Sequence, residues 1–240
     1  MSHRAAIRKH YEPRLEACRE HFDILDWADA AGQQARFEVL ARRVDLRGKS
    51  LLDVGCGLGD LWAFLRARRL GVDYTGVDIL ERMVESAQIA YPRARFVTAD
   101  VFSVNPFGGR RFDVTFCSGV FNLDLGNNRR FLRQALARLM ELTGEVVVFN
   151  LLHERTPRRH DHCFYHDPKE VRRLVERLGC RAEVVDDYLP NDFTILCRLD
   201  RPRPAATPAK PPSQLTNPNA KLAKPPRRPA KAPRKTLGRP

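Results

Sequence analysis

The chain has 240 residues, 43% of them hydrophobic, and a formal net charge of +13 at pH 7. That apolar content suffices for a buried core, no apolar run approaches the roughly 20 residues that cross a bilayer, and the first 22 residues lack a secretory signal, so we expect a cytoplasmic location. The six cysteines are scattered without a C-x-x-C pair, which argues against a disulfide framework and for reduced thiols.

Two helices are predicted ahead of the first strand, over residues 3–22 and 29–45. In the second, Ala35, Val39, Leu40 and Val44 recur at helical spacing among charged residues. We expect residues 1–28 to form an N-terminal helical segment and a larger domain to occupy residues 29–199.

Strands and helices alternate through that larger domain. A strand at 50–54 breaks into glycines, and further strands are predicted at 73–79, 95–101, 112–119, 144–152, 181–187 and 192–199, with helices at 60–69, 81–90, 127–141 and 167–179. Alternation predicts an α/β, doubly wound, mostly parallel sheet of seven strands. Only a few residues separate the last two strands, so these must be antiparallel.

Glycines and acids follow successive strands at the same predicted edge of the sheet. The run Asp53-Val-Gly55-Cys56-Gly57-Leu-Gly59 lets a ligand lie against bare main chain, and its G-x-G-x-G spacing differs from nicotinamide and P-loop motifs. Asp78 ends the next strand, where a carboxylate can accept hydrogen bonds from ribose hydroxyls. Asp100 ends the third strand and can accept from an exocyclic amino group. Asp53 as a loop-fixing group and Asp78 as a helix cap are the alternatives.

The runs LLDVGCGLGD and YTGVDI resemble motif I and the acidic second motif of class I S-adenosylmethionine (SAM)-dependent methyltransferases, over about residues 30–199. The segments SGVFNLDL, FYHDPKEV and DYLPNDFT are similar to a group of bacterial methyltransferases whose substrates are unidentified. The resemblance implies a Rossmann-like sheet with an antiparallel last strand, and SAM as cofactor. It implies a cofactor site formed by Asp53, Gly55, Cys56, Gly57, Gly59, Asp78, Ile79, Asp100, Val101 and Ser118. Arg36, in the helix before the glycine loop, is a further cofactor candidate that can pair with the methionine carboxylate of SAM, and a surface salt bridge is the alternative.

The methyl acceptor is less readable than the donor. The segment from Ser118 to Asp124, which includes Asn122, is expected to face the acceptor and is not the Asn/Asp-Pro-Pro-aromatic motif of amino-nitrogen methylation. We interpret Cys117 as a packing residue within a strand. The catalytic candidates are therefore His153, Asn122 and Tyr165, with His153 the leading general base because histidine titrates near neutral pH. A histidine near the cleft without a catalytic role is the alternative.

Four histidines fall in the stretch 150–166. The donor types of His160, His162, Cys163 and His166 suit zinc, but their spacing matches no recognised zinc motif, so we predict a loop that closes over the acceptor and no metal site.

The last forty residues differ in composition from the rest. Residues 201–240 hold five Lys, six Arg, no acid and 11 of the 17 prolines, whereas the other 200 residues hold 31 basic and 29 acidic residues. This composition predicts a disordered basic tail over residues 200–240. The tail is either a solubilising extension or an arm that binds polyanions through counterion release.

These patterns predict a SAM-dependent methyltransferase that acts on a small molecule or a sugar- or lipid-linked intermediate. An RNA- or ribosome-directed enzyme, with the tail recruiting nucleic acid, is the alternative, and a methyltransferase-like binding module is a third possibility that the intact glycine loop disfavours.

Overall fold

One mixed sheet organises residues 3–200, the part of the chain that the computed structural model describes. Its seven strands are β1 (Ser50–Val54), β2 (Asp73–Asp78), β3 (Arg95–Thr98), β4 (Phe112–Cys117), β5 (Thr143–Leu152), β6 (Arg181–Val185) and β7 (Asp192–Arg198). They lie in the order β3-β2-β1-β4-β5-β7-β6. Strand β7 runs antiparallel to both β5 and β6, and the other pairs are parallel. The predicted fold class is confirmed.

Helices cover both faces of this sheet. They are α1 (His3–Ala17), α2 (His21–Ile24), α3 (Ala30–Arg43), α4 (Asp60–Ala67), α5 (Glu81–Ala90), α6 (Asn128–Leu142) and α7 (Pro168–Arg177). Leu40 of α3 and Leu65 of α4 pack in one core with α5, and Leu136 of α6 and Val175 of α7 pack in the other. Two opposed cores of this kind are why the strands read as continuous apolar runs.

Helix α7 begins and ends where its capping residues predict. Asp167 accepts a hydrogen bond at 2.8 Å from the Lys169 N–H, Pro168 takes the first helical position, and Gly179 beyond the end has a φ of +88°.

The first predicted helix is interrupted, which corrects the expectation of one helix over residues 3–22. Helix α1 ends at Ala17, and Glu20 has extended backbone before α2 begins. The turn brings Ile24 into a cluster with Leu58, Leu80 and Met83. Burial of Ile24 is the stabilisation that a single continuous helix would forgo.

Strand β3 ends at Thr98, three residues earlier than predicted. The Asp100 side chain accepts hydrogen bonds from the Phe102 N–H at 3.1 Å and the Ser103 hydroxyl at 2.7 Å, which turns the chain after the strand.

The predicted tail over residues 200–240 lies outside the described residues, apart from Asp200. Within residues 3–200, no helix combines the length and apolar character that crossing a membrane requires.

Candidate functional site

A cleft opens at the carboxyl ends of the central strands. Strand β1 lies between β2 and β4. From β1 the sheet continues through β2 and β3 on one side and through β4 and β5 on the other, so the strand order reverses at β1, and ligands bind in the crevice at such a reversal. The cleft is lined by residues from the turn after each strand: 53–57 after β1, 78–80 after β2, 99–102 after β3 and 118–120 after β4. The space between these residues amounts to about 1030 Å³ when the solvent in its open mouth is included.

The glycine loop is held against strand β2 by its own backbone. The N–H groups of Gly55 and Cys56 donate to the Val77 carbonyl oxygen at 2.8 and 3.1 Å. Gly57 has a φ of +52°, and a Cβ there would lie 2.7 Å from Leu25 Cδ2. A side chain at this position would therefore be strained by the backbone conformation and would require Leu25 to move.

The acids after β1 and β2 support the loop from inside the cleft. Asp78 accepts hydrogen bonds from the Gly57 N–H and the Leu80 N–H, both at 2.9 Å. Asp53 accepts one from the Tyr74 hydroxyl at 2.7 Å. Burial raises the pKa of both carboxyl groups, and the pKa of Asp53 reaches about 7 although the Tyr74 hydrogen bond opposes the shift.

Two further cofactor candidates lie on the cleft wall farther along the sheet edge. Asp100 lines it after β3, beside Val101. Ser118 lines it after β4, and its hydroxyl is buried without a hydrogen-bond partner among the described residues. An orphaned buried hydroxyl in a cleft is what remains when the group that it serves is a ligand.

An N-terminal roof, which we define as residues 3–28, covers the cleft. Ile7 and Tyr11 of α1 and Leu25 and Trp27 after α2 all line it. Leu25 closes on Gly57, and Trp27 closes on Gly119, where a Cβ would lie 2.8 Å from the indole ring. The sequence predicted helices in this segment without predicting that they complete the site.

Arg36 is not on the cleft wall, contrary to its assignment as a cofactor residue. Its guanidinium donates to Asp192 Oδ2 at 3.0 and 2.7 Å and to the Gly32 carbonyl oxygen at 2.7 Å, and lies 4.2 Å from the Trp27 ring centre. The Asp192 carboxylate, contributed by β7, takes the place that a methionine carboxylate was expected to fill. Arg36 thus supports the N-terminal roof through Trp27.

Most of the other cofactor candidates do line the cleft. They are Asp53, Gly55, Cys56, Gly57, Asp78, Ile79, Asp100, Val101 and Ser118. Gly59 instead caps α4 with a φ of +85°, away from the wall.

The three catalytic candidates are not among the residues that line the cleft. His153 accepts from the Arg155 N–H at 3.1 Å through Nδ1, and burial lowers its pKa. The Tyr165 hydroxyl accepts from the His160 N–H at 2.8 Å. Asn122 neighbours the wall residue Leu123, and its Oδ1 is buried without a partner in residues 3–200. Cys117 is fully buried within β4, as a packing residue is.

The histidine-rich loop folds back on the segment after β4. Leu123 pairs with Cys163, and the Phe164 N–H donates to the Asn122 carbonyl oxygen at 2.8 Å. His166 is buried beside Phe164, whereas His162 turns outward to Asp26 of the N-terminal roof. The structure therefore does not bring His160, His162, Cys163 and His166 together as one set of metal ligands. It places His162 beside Asp26 instead.

The charged side chains of the cleft wall are acidic. Its titratable side chains, taken over the described residues, are Asp53, Asp60, Asp78 and Asp100 together with Tyr11 and Cys56, and it carries no Lys, Arg or His. The remaining wall is largely apolar and includes Trp27, Phe37, Phe116, Val120 and Leu123. Such a wall favours a cationic ligand beside an apolar one.

Comparison with known proteins agrees with this geometry. The model of a methyltransferase domain family matches residues 51–143, from β1 to the start of β5. The chain is 26% identical over 154 residues to a demethylmenaquinone methyltransferase of Thermotoga maritima, over 63% of this chain and 66% of that protein. It is also 26% identical over 174 residues to a trans-aconitate 2-methyltransferase of Delftia acidovorans, over 70% of this chain and 63% of that one. The matches span slightly less than two thirds of each relative.

Solved structures show the same fold. The magnesium protoporphyrin IX methyltransferase of Synechocystis PCC 6803, with bound S-adenosylhomocysteine (SAH), superposes with a TM-score of 0.61 at 16% identity, covering 81% of this chain and 99% of that one.

Proposed function

We propose that the chain is a class I SAM-dependent methyltransferase and that it methylates a small, uncharged acceptor with a largely apolar body. The observation that carries this proposal is the cleft wall, which combines four aspartates with a largely apolar lining and has no basic side chain among the described residues. The proposal goes beyond the relatives, whose named acceptors differ from one another.

The aspartates of the cleft fit SAM. SAM carries a sulfonium, an ammonium and a carboxylate group, a net positive charge, and carboxylates without a basic side chain on the described wall favour binding of its two cationic groups. We assign the ribose hydroxyls to Asp78, the methionine half to the glycine loop, and the adenine edge to Asp100 and Val101. Ser118, with its unpartnered hydroxyl, then borders the sulfonium.

The apolar side chains of the cleft wall are the basis for the class of acceptor that we propose. Trp27, Phe37, Val120 and Leu123 offer aromatic and aliphatic surface to a bound molecule. A carboxylate or phosphate placed there would be desolvated without a positive partner on the described wall, which costs several kcal/mol per charge. A polycarboxylate acceptor and an RNA backbone are therefore both disfavoured.

Methyl transfer asks little covalent chemistry of the protein. The acceptor's nucleophilic atom forms a bond to the methyl carbon as the sulfur–carbon bond breaks, SAH leaves, and a hydroxyl acceptor releases its proton. The chain contributes mainly the alignment of donor and acceptor. Of the three catalytic candidates, Asn122 comes nearest to the cleft, because it precedes the lining residue Leu123 and its buried Oδ1 lacks a partner in the described part of the chain.

The RNA-directed alternative retains one support, the charge of residues 201–240. Those residues lie outside the described part of the chain, and the cleft wall itself offers phosphate no cation.

The test uses SAM labelled on its methyl group, incubated with full-length enzyme and fractionated cell extract. We expect label in neutral small molecules or lipid, unchanged when residues 201–240 are removed. Label in RNA that falls with the tail-less enzyme would overturn the proposal in favour of the nucleic-acid alternative. Label in acidic metabolites would overturn the uncharged acceptor alone.

A further inference from the structure

Three side chains that are distant in sequence meet beside the cleft. His10 comes from α1, Asp26 follows α2, and His162 lies in the loop between β5 and α7. The Nε2 atoms of His10 and His162 lie 2.9 and 3.1 Å from the same carboxylate oxygen, Asp26 Oδ2. All three donor atoms are within 4.8 Å of one another.

We propose that His10, Asp26 and His162 form a binding site for one divalent transition-metal ion, for which zinc is the best match. Metal–nitrogen and metal–oxygen bonds of about 2.0–2.2 Å in tetrahedral geometry set neighbouring ligand atoms about 3.3–3.5 Å apart. The two observed separations from Oδ2 need to widen by only a few tenths of an ångström. Two imidazoles and one carboxylate are also a donor set that suits first-row transition metals and leaves a position open.

The surroundings of Asp26 support this reading. Arg14 donates to the other carboxylate oxygen, Oδ1, and so orients the group while leaving Oδ2 to face the two imidazoles. Metal-bound carboxylates are commonly held in this way by a hydrogen bond to the oxygen that does not bind the metal. The side chains are 19%, 23% and 44% exposed for His10, Asp26 and His162, so an ion can reach them from solvent.

Arg14 also opposes metal binding at this site, since its positive charge repels a cation at short range. A carboxylate between the two charges offsets that repulsion. The competing reading is a metal-free latch, in which both imidazoles donate to Oδ2.

A metal at this place would fasten the N-terminal roof. Asp26 lies between Leu25 and Trp27, which both line the cleft, and His162 belongs to the loop that pairs with the segment after β4. The ion would tie these parts together without entering the cleft. It is accordingly assigned a positioning role, and the proposal stands whichever molecule accepts the methyl group.

The test uses the untagged full-length chain, stripped with a chelator, reduced, and titrated calorimetrically with Zn²⁺. We expect one ion per chain. His162→Ala should weaken binding by more than about 100-fold, because direct ligands contribute more than the 10–100-fold that outer-shell partners contribute. His160→Ala is the matched control in the same loop. Residues 201–240 contain no His, Cys, Asp or Glu, so the tail adds no competing ligand.

Co²⁺ provides an independent readout. Visible absorption bands of a tetrahedral ion with nitrogen and oxygen ligands, lost in His162→Ala and kept in His160→Ala, would support the proposal. Thermal melts of each variant without metal establish that the variant is folded. Absence of stoichiometric binding, equal affinity in His162→Ala, or near-ultraviolet bands from cysteine coordination would each overturn it, the first two leaving the metal-free latch.

Discussion

Asp53 and Asp78 are both buried acids on the cleft wall, yet their contacts separate their roles. Asp78 accepts two backbone N–H hydrogen bonds, which orient it at the end of β2. Asp53 accepts from a tyrosine hydroxyl beneath the glycine loop. We propose that the first arrangement presents a carboxylate to a ligand, and that the second fixes the loop while keeping an ionisable group near it.

Replacing Asp78 by Ala should weaken SAM binding about 10- to 100-fold, because hydrogen bonds to a charged partner contribute roughly 1.5–3 kcal/mol each. Calorimetric titration with SAM measures the change. Asp73→Ala is the matched control, since Asp73 begins the same strand and is 64% exposed. Unchanged affinity in Asp78→Ala would refute the ribose assignment.

Asp53 should make the ligand-free protein less stable as pH rises. Its pKa of about 7 in the folded state exceeds that of an unfolded aspartate near 4, so the folded protein retains a proton that the unfolded chain releases. This contribution is fully present below pH 4 and is lost as pH rises through about 7, at on the order of 1 kcal/mol per pH unit.

His166 acts in the opposite direction, because burial lowers its pKa to about 4 and stability from this group rises with pH up to about 6.5. The measurement is therefore the difference between wild type and Asp53→Asn in urea unfolding at pH 5 and pH 7.5. If the two proteins show equal slopes with pH, the shifted pKa is wrong.

At the level of elements, the N-terminal roof packs against the connection after β4 at Gly119, and His3 of the roof hydrogen-bonds Asn127 farther along it. Gly119 has a φ of +79°, and a Cβ there would lie 2.8 Å from the Trp27 ring. Gly126, in the same connection, has a φ of +75° and open space around it.

Gly119→Ala should lower turnover and SAM affinity by displacing Trp27, whereas Gly126→Ala should only destabilise the fold. Both substitutions introduce the same left-handed backbone strain of roughly 1–2 kcal/mol. The difference in kinetics between the two variants therefore isolates the contact of residue 119 with Trp27. Steady-state kinetics with a thermal melt for each variant make the comparison. Equal kinetics in the two variants would show that Trp27 does not depend on Gly119.

The sequence predicts the sheet well because its signals are local. Glycine spacing, alternation of strands and helices, and the short connection before β7 each lie within about a dozen residues. The roof depends instead on contacts such as Leu25 with Gly57 and Trp27 with Gly119, which no local pattern encodes. Arg36 illustrates the same difficulty, since its partner Asp192 lies 156 residues away. The sequence groups His162 with the neighbouring donors His160, Cys163 and His166. In the structure its partner is Asp26, which also contacts His10.

On the scale of the whole molecule, charge is divided unequally. The 200 residues ahead of the tail are nearly balanced, and residues 201–240 carry the remaining excess of positive charge. We propose that the folded domain ends near Leu199, where β7 has just completed the sheet.

Removing residues 201–240 should leave the melting temperature within about 2 °C, since a change of 1 kcal/mol shifts it by about 2–4 °C in a domain of this size. Calorimetric SAM affinity should also be unchanged. A lower melting temperature, or aggregation, would place the domain boundary beyond residue 199.

The roof also precedes the matched methyltransferase region, which begins at residue 51 in β1. We propose that the sheet holds the donor, whereas the roof contributes Trp27 to the surface that meets the acceptor, so these parts are encoded in separate stretches of the chain. We therefore expect that exchange of the N-terminal roof between related proteins changes which acceptor is bound, while the binding of SAM stays the same. A chimera carrying another relative's leading segment would be the natural way to transplant selectivity.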